Sequence, residues 1–295
     1  MGLVYHLSSW QRVLESAFGH IRGRFLVLKD DAGQIQAGLP VYSLRSWLLN
    51  NRTVSVPFAT LCDPLVSTMD EFSLLWQTIE GAARENKSKG IEIRTRSTST
   101  ACIPVFLTAG SKYKHHYLPL GESTEKLFRS FHDSCVCRRI KKASRAGVVV
   151  EARQDEQSLR ALHTLMAATR PRLLLPPMPF AFLESMYVHL HPGYAQLYLA
   201  LDKGKQIGGL MVLTFKDLWI AEYSGYLDDA PPGTYELLYW HAIQQAKAAG
   251  ASHFSFGRTS LDNTGAASVQ KALGNHRRRL DRIRLLPWLR ASTSY

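Results

Sequence analysis

The chain has few cysteines, and their spacing suits neither a disulfide framework nor a metal site. Cys62, Cys102, Cys135 and Cys137 are the only four among 295 residues, which is typical of a reducing compartment. Cys135 and Cys137 form a C-x-C pair close in sequence to His132. A structural zinc site needs four ligands at recognisable spacing, and the other two cysteines are far away in sequence. We therefore expect unpaired thiols and no metal.

Long apolar runs and targeting signals are also lacking. No run approaches the roughly 20 apolar residues that a membrane-spanning helix needs, and the amino terminus lacks a charged region followed by an apolar one. The hydrophobic content of 45% is that of an ordinary globular protein, and 295 residues suffice for one large or two medium domains. We expect a cytoplasmic protein.

Several catalytic motifs are absent. The sequence contains no glycine-rich phosphate loop, Walker motif or dinucleotide fingerprint. It also shows no Ser-His-Asp or Cys-His arrangement in the context of a nucleophile elbow. A covalent intermediate is therefore not indicated, and direct attack within a ternary complex is the simpler expectation.

Acidic residues are scarce relative to basic ones. The chain has 24 Asp and Glu against 36 Lys and Arg, which gives a formal net charge of +12. A surface this basic attracts polyanions such as RNA, nucleotide phosphates or an anionic bilayer. A solvated positive face without a ligand explains the charge equally well.

The two halves of the chain repeat one order of segments: a hairpin, a further strand, an amphipathic helix, a glycine and a short strand that ends in arginine. In the first half these segments are 24–28 with 34–44, 54–58, 72–85, Gly90 and 91–94. In the second half they are 194–201 with 206–215, 218–225, 235–249, Gly250 and 253–258. The matching order favours an internal duplication over coincidence.

The repeat predicts two similar α/β domains, 1–118 and 119–295, with the boundary near 117–122, where Pro119 and Gly121 interrupt the pattern. Ahead of its hairpin, the second domain is predicted to carry a helix over 125–146, a strand over 148–152 and a helix over 158–169. The basic cluster 276–279 leads into a predicted final strand and is a second candidate surface for RNA or anionic lipid.

With its parts in this order, the chain resembles the FemAB-like proteins, which are tandem domains of the GNAT N-acyltransferase fold. Four segments carry the likeness: Val54-Ser55-Val56-Pro57-Phe58 followed by Asp63-Pro64-Leu65; Ile91-Glu92-Ile93-Arg94; Arg138 to Val148; and Phe254-Ser255-Phe256-Gly257-Arg258-Thr259. The last is similar to the Asp-Phe-Gly-Arg-Ser signature of the exopolysaccharide-associated (PEP-CTERM) type. The resemblance implies a mixed central sheet flanked by helices in each domain, an α/β (α+β) fold.

Two positions depart from the family pattern. The signature aspartate is Ser255 here. The family shows Phe-Lys-x-x-x-Gly after the signature, whereas Lys271 lies one residue closer to Gly274 and Gln270 stands in the lysine's place. Either Lys271 is shifted or Gln270 has replaced it.

The resemblance implies transfer of an acyl or aminoacyl group to an amine, or to a hydroxyl, of a cell-envelope or polysaccharide precursor. Two donors follow from it, acyl-coenzyme A and aminoacyl-tRNA, both of them polyanions that suit the positive charge. Peripheral contact with an anionic membrane is a further expectation. The alternative hypothesis is a non-catalytic GNAT-fold protein that binds RNA or an anionic lipid.

Acyl transfer needs a donor for the developing oxyanion and a proton acceptor for the amine. Lys271 and Arg258 are candidates for the positive charge, and Glu222 for the base. We expect these groups in the second domain, in a cleft facing the first. A surface ion pair is the simpler explanation for Glu222.

The candidate substrate-binding residues fall into three groups. The first group contains three tyrosines that offer hydroxyls, Tyr223, Tyr226 and Tyr235, and two signature residues, Phe256 and Gly257. The tyrosine rings also suit a core. Arg138, Lys142 and Arg145 share a helix face at spacings of four and three and suit phosphates. Arg170 and Arg172, in the proline-containing segment 169–177, suit an acidic or lipid-linked acceptor, or a plain surface loop.

Overall fold

The helices and strands of the chain fall into two compact units, Met1–Tyr113 with Arg279–Tyr295, and Lys114–Arg278. A computed structural model describes residues 2–46, 50–95, 108–173, 176–260 and 276–284. The predicted domain limits of 1–118 and 119–295 differ from these units at 114–118 and at the carboxyl-terminal end. At the carboxyl-terminal end the reason is strand pairing, because Asp281 to Arg284 pair with Thr95 to Glu92 of the first unit.

The first unit is built on a hairpin and a parallel crossover. Its elements are α1 Ser8–Ala17, β1 Ile21–Lys29, β2 Ile35–Leu44, β3 Arg52–Val54, α2 Met69–Glu85, β4 Ile91–Thr95 and, from the end of the chain, β11 His276–Arg284. Its sheet has the order β1-β2-β3-β4-β11, with β3 and β4 parallel across α2. The hairpin turns where the Asp30 carboxylate accepts the N–H groups of Ala32 and Gln34 at 3.0 and 2.8 Å.

The second unit repeats this plan on a larger scale. Its elements are β5 Thr108–Pro119, which belongs to this unit from Lys114 on, α3 Thr124–Ser130, α4 Arg138–Arg145, β6 Val149–Arg153, α5 Glu156–Thr169, α6 Phe180–Leu190, β7 Ala195–Asp202, β8 Lys205–Phe215, β9 Leu218–Tyr226, α7 Thr234–Ala248 and β10 His253–Ser260. The sheet order is β5-β10-β9-β8-β7-β6. Strands β6 to β9 are antiparallel neighbours, and β10 runs parallel to β9 after the crossover through α7.

Helices cover both faces of this sheet. On one face, α3, α4 and α7 share a core with the strands, including Ile140, Leu210, Leu238 and Phe254. On the other face, α5 packs so closely on β9 that a Cβ on Gly225 would lie 2.4 Å from the Leu165 carbonyl carbon. The fold class is the predicted one, since both units are mixed α/β structures with a β-α-β crossover.

The structure corrects several predicted elements. The single helix expected over 125–146 is broken, because Phe131 is extended and a π-helical turn, Asp133–Cys137, precedes α4. The strand expected over 54–58 ends at Val54, and Phe58 has a φ of 57°. Helix α6 and strand β5 were not predicted. The predicted final strand is present as β11.

Candidate active site

A bulge in β9 sets the geometry of the candidate site. Met211 of β8 pairs with Tyr223, but Val212 pairs with Ala221, so Glu222 is the extra residue of a β-bulge. Bulges bend a strand and re-aim side chains, and they are frequent beside active sites. The pairing of β9 with the parallel strand β10 covers Leu218 to Ile220 in the described residues, just before this bulge. Glu222 is half-buried there.

A cavity of about 450 Å³ opens beyond the end of β9. Its wall combines Ser224 and Tyr226 of β9, the loop 227–232, the first turn of α7, Thr169 of α5 and Arg139 of α4. Thr169 closes one side, because its hydroxyl accepts the Tyr226 N–H at 3.0 Å and donates to the Tyr226 carbonyl at 3.1 Å. The cavity is therefore framed by secondary structure of a single unit.

The amino-terminal end of α7 faces this cavity. Its N-cap is Gly233, whose φ of 99° is left-handed, and no side chain caps the helix within the described part of the chain. The hydroxyl and N–H of Thr234 bind the Pro231 carbonyl instead, at 2.7 and 3.1 Å. First-turn N–H groups have no acceptor within a helix, and the helix dipole adds positive potential at this end. The arrangement suits an anionic group such as a phosphate.

An ion pair joins α4 to this end of α7. Arg139 Nη1 donates to Glu236 Oε1 at 2.7 Å, and Glu236 is only 5% exposed. The hydrogen bond and charge of Glu236 raise the pKa of Arg139, whose side chain is still 56% exposed. The backbones also meet, since a Cβ on Gly233 would lie 2.0 Å from the Arg139 carbonyl oxygen. Both contacts hold the Arg139 guanidinium at the cavity.

A row of aromatic rings leads from the cavity into the core. Tyr226 and Tyr235 have ring centroids 5.8 Å apart, and Tyr235 and Tyr239 4.4 Å apart. Tyr239 stacks on Phe256 of β10 at 6.1 Å, and its hydroxyl lies 3.4 Å from Ser224 Oγ. The row connects the two strand ends.

The hydroxyls of Tyr235 and Tyr239 are neutral, and Tyr239 lies close to Glu222. Burial raises the pKa of Tyr239, and the negative charge of Glu222 adds to this rise. Burial and donation to Tyr239 raise the pKa of Tyr235 well above its usual value. Glu222, Ser224 and Tyr239 therefore form a polar group in which a carboxylate lies beside neutral hydroxyls.

The candidate arginine Arg258 follows a buried turn in β10. Ser255 Oγ accepts the Gly257 N–H at 3.1 Å and lies 2.7 Å from His115 Nε2 of β5. Gly257 has a φ of 79°, and Arg258 after it is half-buried. Ser255, which stands at the position of the family's aspartate, thus fixes the turn ahead of Arg258.

The structure gathers some predicted site residues and separates others. Glu222, Tyr226, Tyr235 and Phe256 lie along the β9–α7–β10 crossover, with Gly257 and Arg258 at the end of β10. Tyr223 points to the other face of the sheet, where its ring meets Phe182 of α6 edge-on at 5.8 Å. Tyr223 is therefore a core residue, which is the structural role that the tyrosine rings also suited.

The remaining predicted residues lie elsewhere. Arg138 pairs with Asp133 at 2.7 Å on the protein surface, and Lys142 and Arg145 are exposed on α4. Arg170 Nε donates to the Pro176 carbonyl at 2.5 Å, and burial lowers the pKa of its guanidinium. Arg172 is described by its backbone alone, and Lys271 and Gln270 lie outside the described residues.

Sequence reasoning missed Arg139, Glu236, Tyr239, Ser224 and Thr169. The contact between Arg139 and Glu236 spans 97 residues of sequence, which no local pattern reveals. Pro231-Pro232-Gly233 directly before a helix, followed by an acidic residue in its first turn, is the signal that marks this helix start.

The matching position in the first unit is closed by internal contacts. Arg94 near the end of β4 donates to Glu92 at 2.9 Å and to the Ala59 carbonyl at 2.6 Å. Glu92 is 1% exposed and also binds Arg52 at 2.6 Å. Arg94 therefore serves the core of its own unit, which favours the second unit as the reactive one.

Neither a metal centre nor a membrane span is evident in the part of the chain that the structure describes. Across 2–46, 50–95, 108–173, 176–260 and 276–284, no three His, Cys, Asp or Glu residues gather as a metal would require. In those same ranges, no helix has the length and apolar character to cross a bilayer.

Comparisons with known proteins agree with the observed fold. Residues 135–266 match the family model described as Acetyltransferase (GNAT) domain. No curated protein sequence matches the chain. The structure of FemX is similar with a TM-score of 0.74 and 14% identity, over 95% of this chain and 92% of FemX.

Two further solved structures share the fold at lower similarity. A tandem GNAT protein from the clavulanic acid biosynthesis pathway has a TM-score of 0.61 and 13% identity, over 94% of this chain and 86% of its own. The C-terminal domain of a putative lysylphosphatidylglycerol synthetase from Agrobacterium fabrum has a TM-score of 0.59 and 13% identity, over 88% and 84%. The chain therefore has a FemAB-like tandem GNAT fold.

Proposed function

We propose that this chain, a tandem GNAT protein by its fold, is an acyltransferase. It moves an acyl or aminoacyl group from coenzyme A or tRNA to an amine, or less readily a hydroxyl, of a cell-envelope or polysaccharide precursor. The observation that carries the proposal is the cavity of about 450 Å³ at the start of α7, where helix N–H groups and Arg139 face the same space. Both donors carry phosphate, in the pyrophosphate of coenzyme A or in the backbone of tRNA, that could occupy this space.

The envelope precursor is supported by the neighbouring structures. The name lysylphosphatidylglycerol synthetase describes an aminoacyl group joined to a phospholipid. The net charge of +12 and the exposed side chains of Lys142 and Arg145 on α4 favour a polyanionic donor. The same charge favours a reaction at an anionic membrane surface.

In the proposed reaction the acceptor amine attacks the donor carbonyl directly. The new C–N bond forms as the C–S bond of a thioester, or the C–O bond of a tRNA ester, breaks. Glu222 accepts the proton that the amine loses, and the departing sulfur or oxygen takes up a proton from solvent. The neutral hydroxyls of Ser224 and Tyr239 supply hydrogen bonds during this transfer. Arg258 adds positive charge at the end of the neighbouring strand β10.

The rival function is binding of RNA or an anionic lipid without catalysis. Ser255 at the signature position favours it, because the family's aspartate is lost there. The two functions differ in turnover, since an enzyme releases acylated acceptor and a binder only retains the donor.

The test is mass spectrometry of the full chain after incubation with mixed pools of acyl-coenzyme A and aminoacyl-tRNA. We expect one donor class to be retained by the wild type. If that donor is RNA, its affinity falls steeply between low and moderate salt, because phosphate contacts release counterions. Retention of neither class overturns the proposal, and retention without any acyl transfer to amines selects the rival.

A further inference from the structure

The Arg139–Glu236 pair occupies the same cavity that the proposed donor would enter. Glu236 lies in the first turn of α7, is 5% exposed and is one of the cavity-lining residues. Its carboxylate therefore lies near the positive end of the helix, where a phosphate would be favoured. Two anions at this point compete for the same positive charges.

Arg139 has donors to spare for a second anion. A guanidinium carries five N–H donors in a fixed fork, and the hydrogen bond to Glu236 uses Nη1. More than half of the side chain is exposed, and the residue lines the cavity. Pairing with Glu236 thus orients the group while leaving other N–H groups facing the cavity.

The backbone around the pair cannot easily move away. The Arg139 carbonyl lies directly against Gly233, where a Cβ would approach within 2.0 Å. Because α4 and the α7 N-terminus pack backbone to backbone at this point, the half-exposed Arg139 side chain can move more easily than the backbone that carries it.

We propose that Arg139 binds the phosphate groups of the donor and that Glu236 weakens this binding while holding Arg139 in position. The weakening lets the spent donor leave after transfer. This inference rests on the proposed function, because it assigns a role inside the same cavity. A pair that only ties α4 to α7 would affect stability and leave phosphate affinity alone.

The experiment measures binding of paired probes that differ in phosphate. Calorimetry on the full chain compares coenzyme A with pantetheine, and tRNA that carries no amino acid with adenosine. Glu236→Gln keeps an acceptor for Arg139 and removes the negative charge. We expect it to tighten the phosphorylated probe about tenfold and to leave the phosphate-free probe unchanged, since a hydrogen bond to a charged group is worth about 1.5–3 kcal/mol.

Two further variants separate binding from structure. Glu156→Gln on α5 removes one surface carboxylate that pairs with Arg160, so it changes net charge equally and should not alter affinity. The double variant Arg139→Ala with Glu236→Gln removes the pair without leaving a buried charge. We expect it to bind the phosphorylated probe about tenfold more weakly than wild type, whereas a purely structural pair predicts wild-type affinity.

The outcomes are distinguishable. If wild type binds a phosphorylated probe and Glu236→Gln binds it equally well, the inference is wrong and the proposed function stands. If neither phosphorylated probe binds wild type or Glu236→Gln, the proposed function and the inference both fail. Unfolding transitions of each variant confirm that it is folded in the assay.

Discussion

The Nε2 atom of His115 lies 2.7 Å from the Oγ atom of Ser255, with both side chains buried. The same serine oxygen accepts the Gly257 N–H, so one hydroxyl connects β5 to the turn ahead of Arg258. A serine can replace an aspartate in this setting because it supplies an acceptor without placing a charge in the core.

Replacing this hydroxyl is expected to cost stability. Ser255→Ala leaves the Gly257 N–H without its acceptor, which lowers the free energy of unfolding by about 1–3 kcal/mol. Urea denaturation measures the change. Ser144→Ala, which removes an exposed hydroxyl bound to the Ile140 carbonyl, serves as the control and should change stability little. Equal stability of Ser255→Ala and wild type would contradict the assignment.

Glu222→Gln tests the proposed base. The substitution keeps size and hydrogen bonding at the β9 bulge but removes the proton acceptor, so kcat should fall about 10²- to 10⁴-fold with KM nearly unchanged. Steady-state kinetics with the donor found by mass spectrometry gives both constants. Glu184→Gln, on the exposed face of α6, is the matched control. A normal kcat in Glu222→Gln would remove Glu222 from the mechanism.

The two glycines that flank α7 provide a stability test. Gly233→Ala combines a left-handed φ of 99° with a Cβ placed 2.0 Å from the Arg139 carbonyl oxygen. Gly250→Ala has a similar φ of 80° but nothing within 4 Å of its Cβ. We expect Gly250→Ala to cost about 1 kcal/mol and Gly233→Ala clearly more, together with weaker donor binding. If thermal unfolding shows equal losses of stability for the two variants, α4 moves aside for the new Cβ at no energetic cost.

His6 makes the first unit sensitive to acid. Its Nδ1 accepts the Leu3 N–H at 2.9 Å, and burial lowers its pKa below 6.5. Because the unfolded chain binds the proton more readily, this contribution to stability is full above pH 6.5. It is lost as pH falls from 6.5 through the lower pKa of the folded state. We expect the NMR titration of His6 to have its midpoint below 6.5.

His6→Gln provides the matched measurement. Urea unfolding at pH 8 and pH 5.5 should show a smaller loss of stability in this variant than in wild type, because the titrating ring is gone. A titration midpoint at or above 6.5 in wild type would refute the role of burial.

Periodic segments of the sequence predicted the fold well. The helix expected over 235–249 is α7, Thr234–Ala248, and the hairpin strands 194–201 and 206–215 are β7 and β8 within one residue. Helix α6 escaped prediction because prolines crowd its amino-terminal side and its apolar residues have no clear stripe. The break at Phe131 escaped because helical spacing continues on both sides of it.

The site was harder to predict than the fold. Glu222, Tyr226 and Phe256 could be chosen because strand ends and a family signature mark them locally. Arg139 could not, because its neighbours Arg138, Lys142 and Arg145 form the obvious charged face, and its partner Glu236 lies far along the chain. The structural roles of Arg94 and Arg170 likewise depend on carbonyls and carboxylates that only folding brings near.

The single extra residue in β9 has a consequence for how this protein could change. Ala221 and Ser224 lie on the α7 face of the sheet and Tyr223 on the α6 face, so the residues on either side of Glu222 already alternate as regular strand neighbours would. Deleting Glu222 would therefore restore regular pairing while Ser224 and Tyr226 still faced the cavity. Loss of one codon would thus remove the proposed base and leave the cavity wall facing the same way.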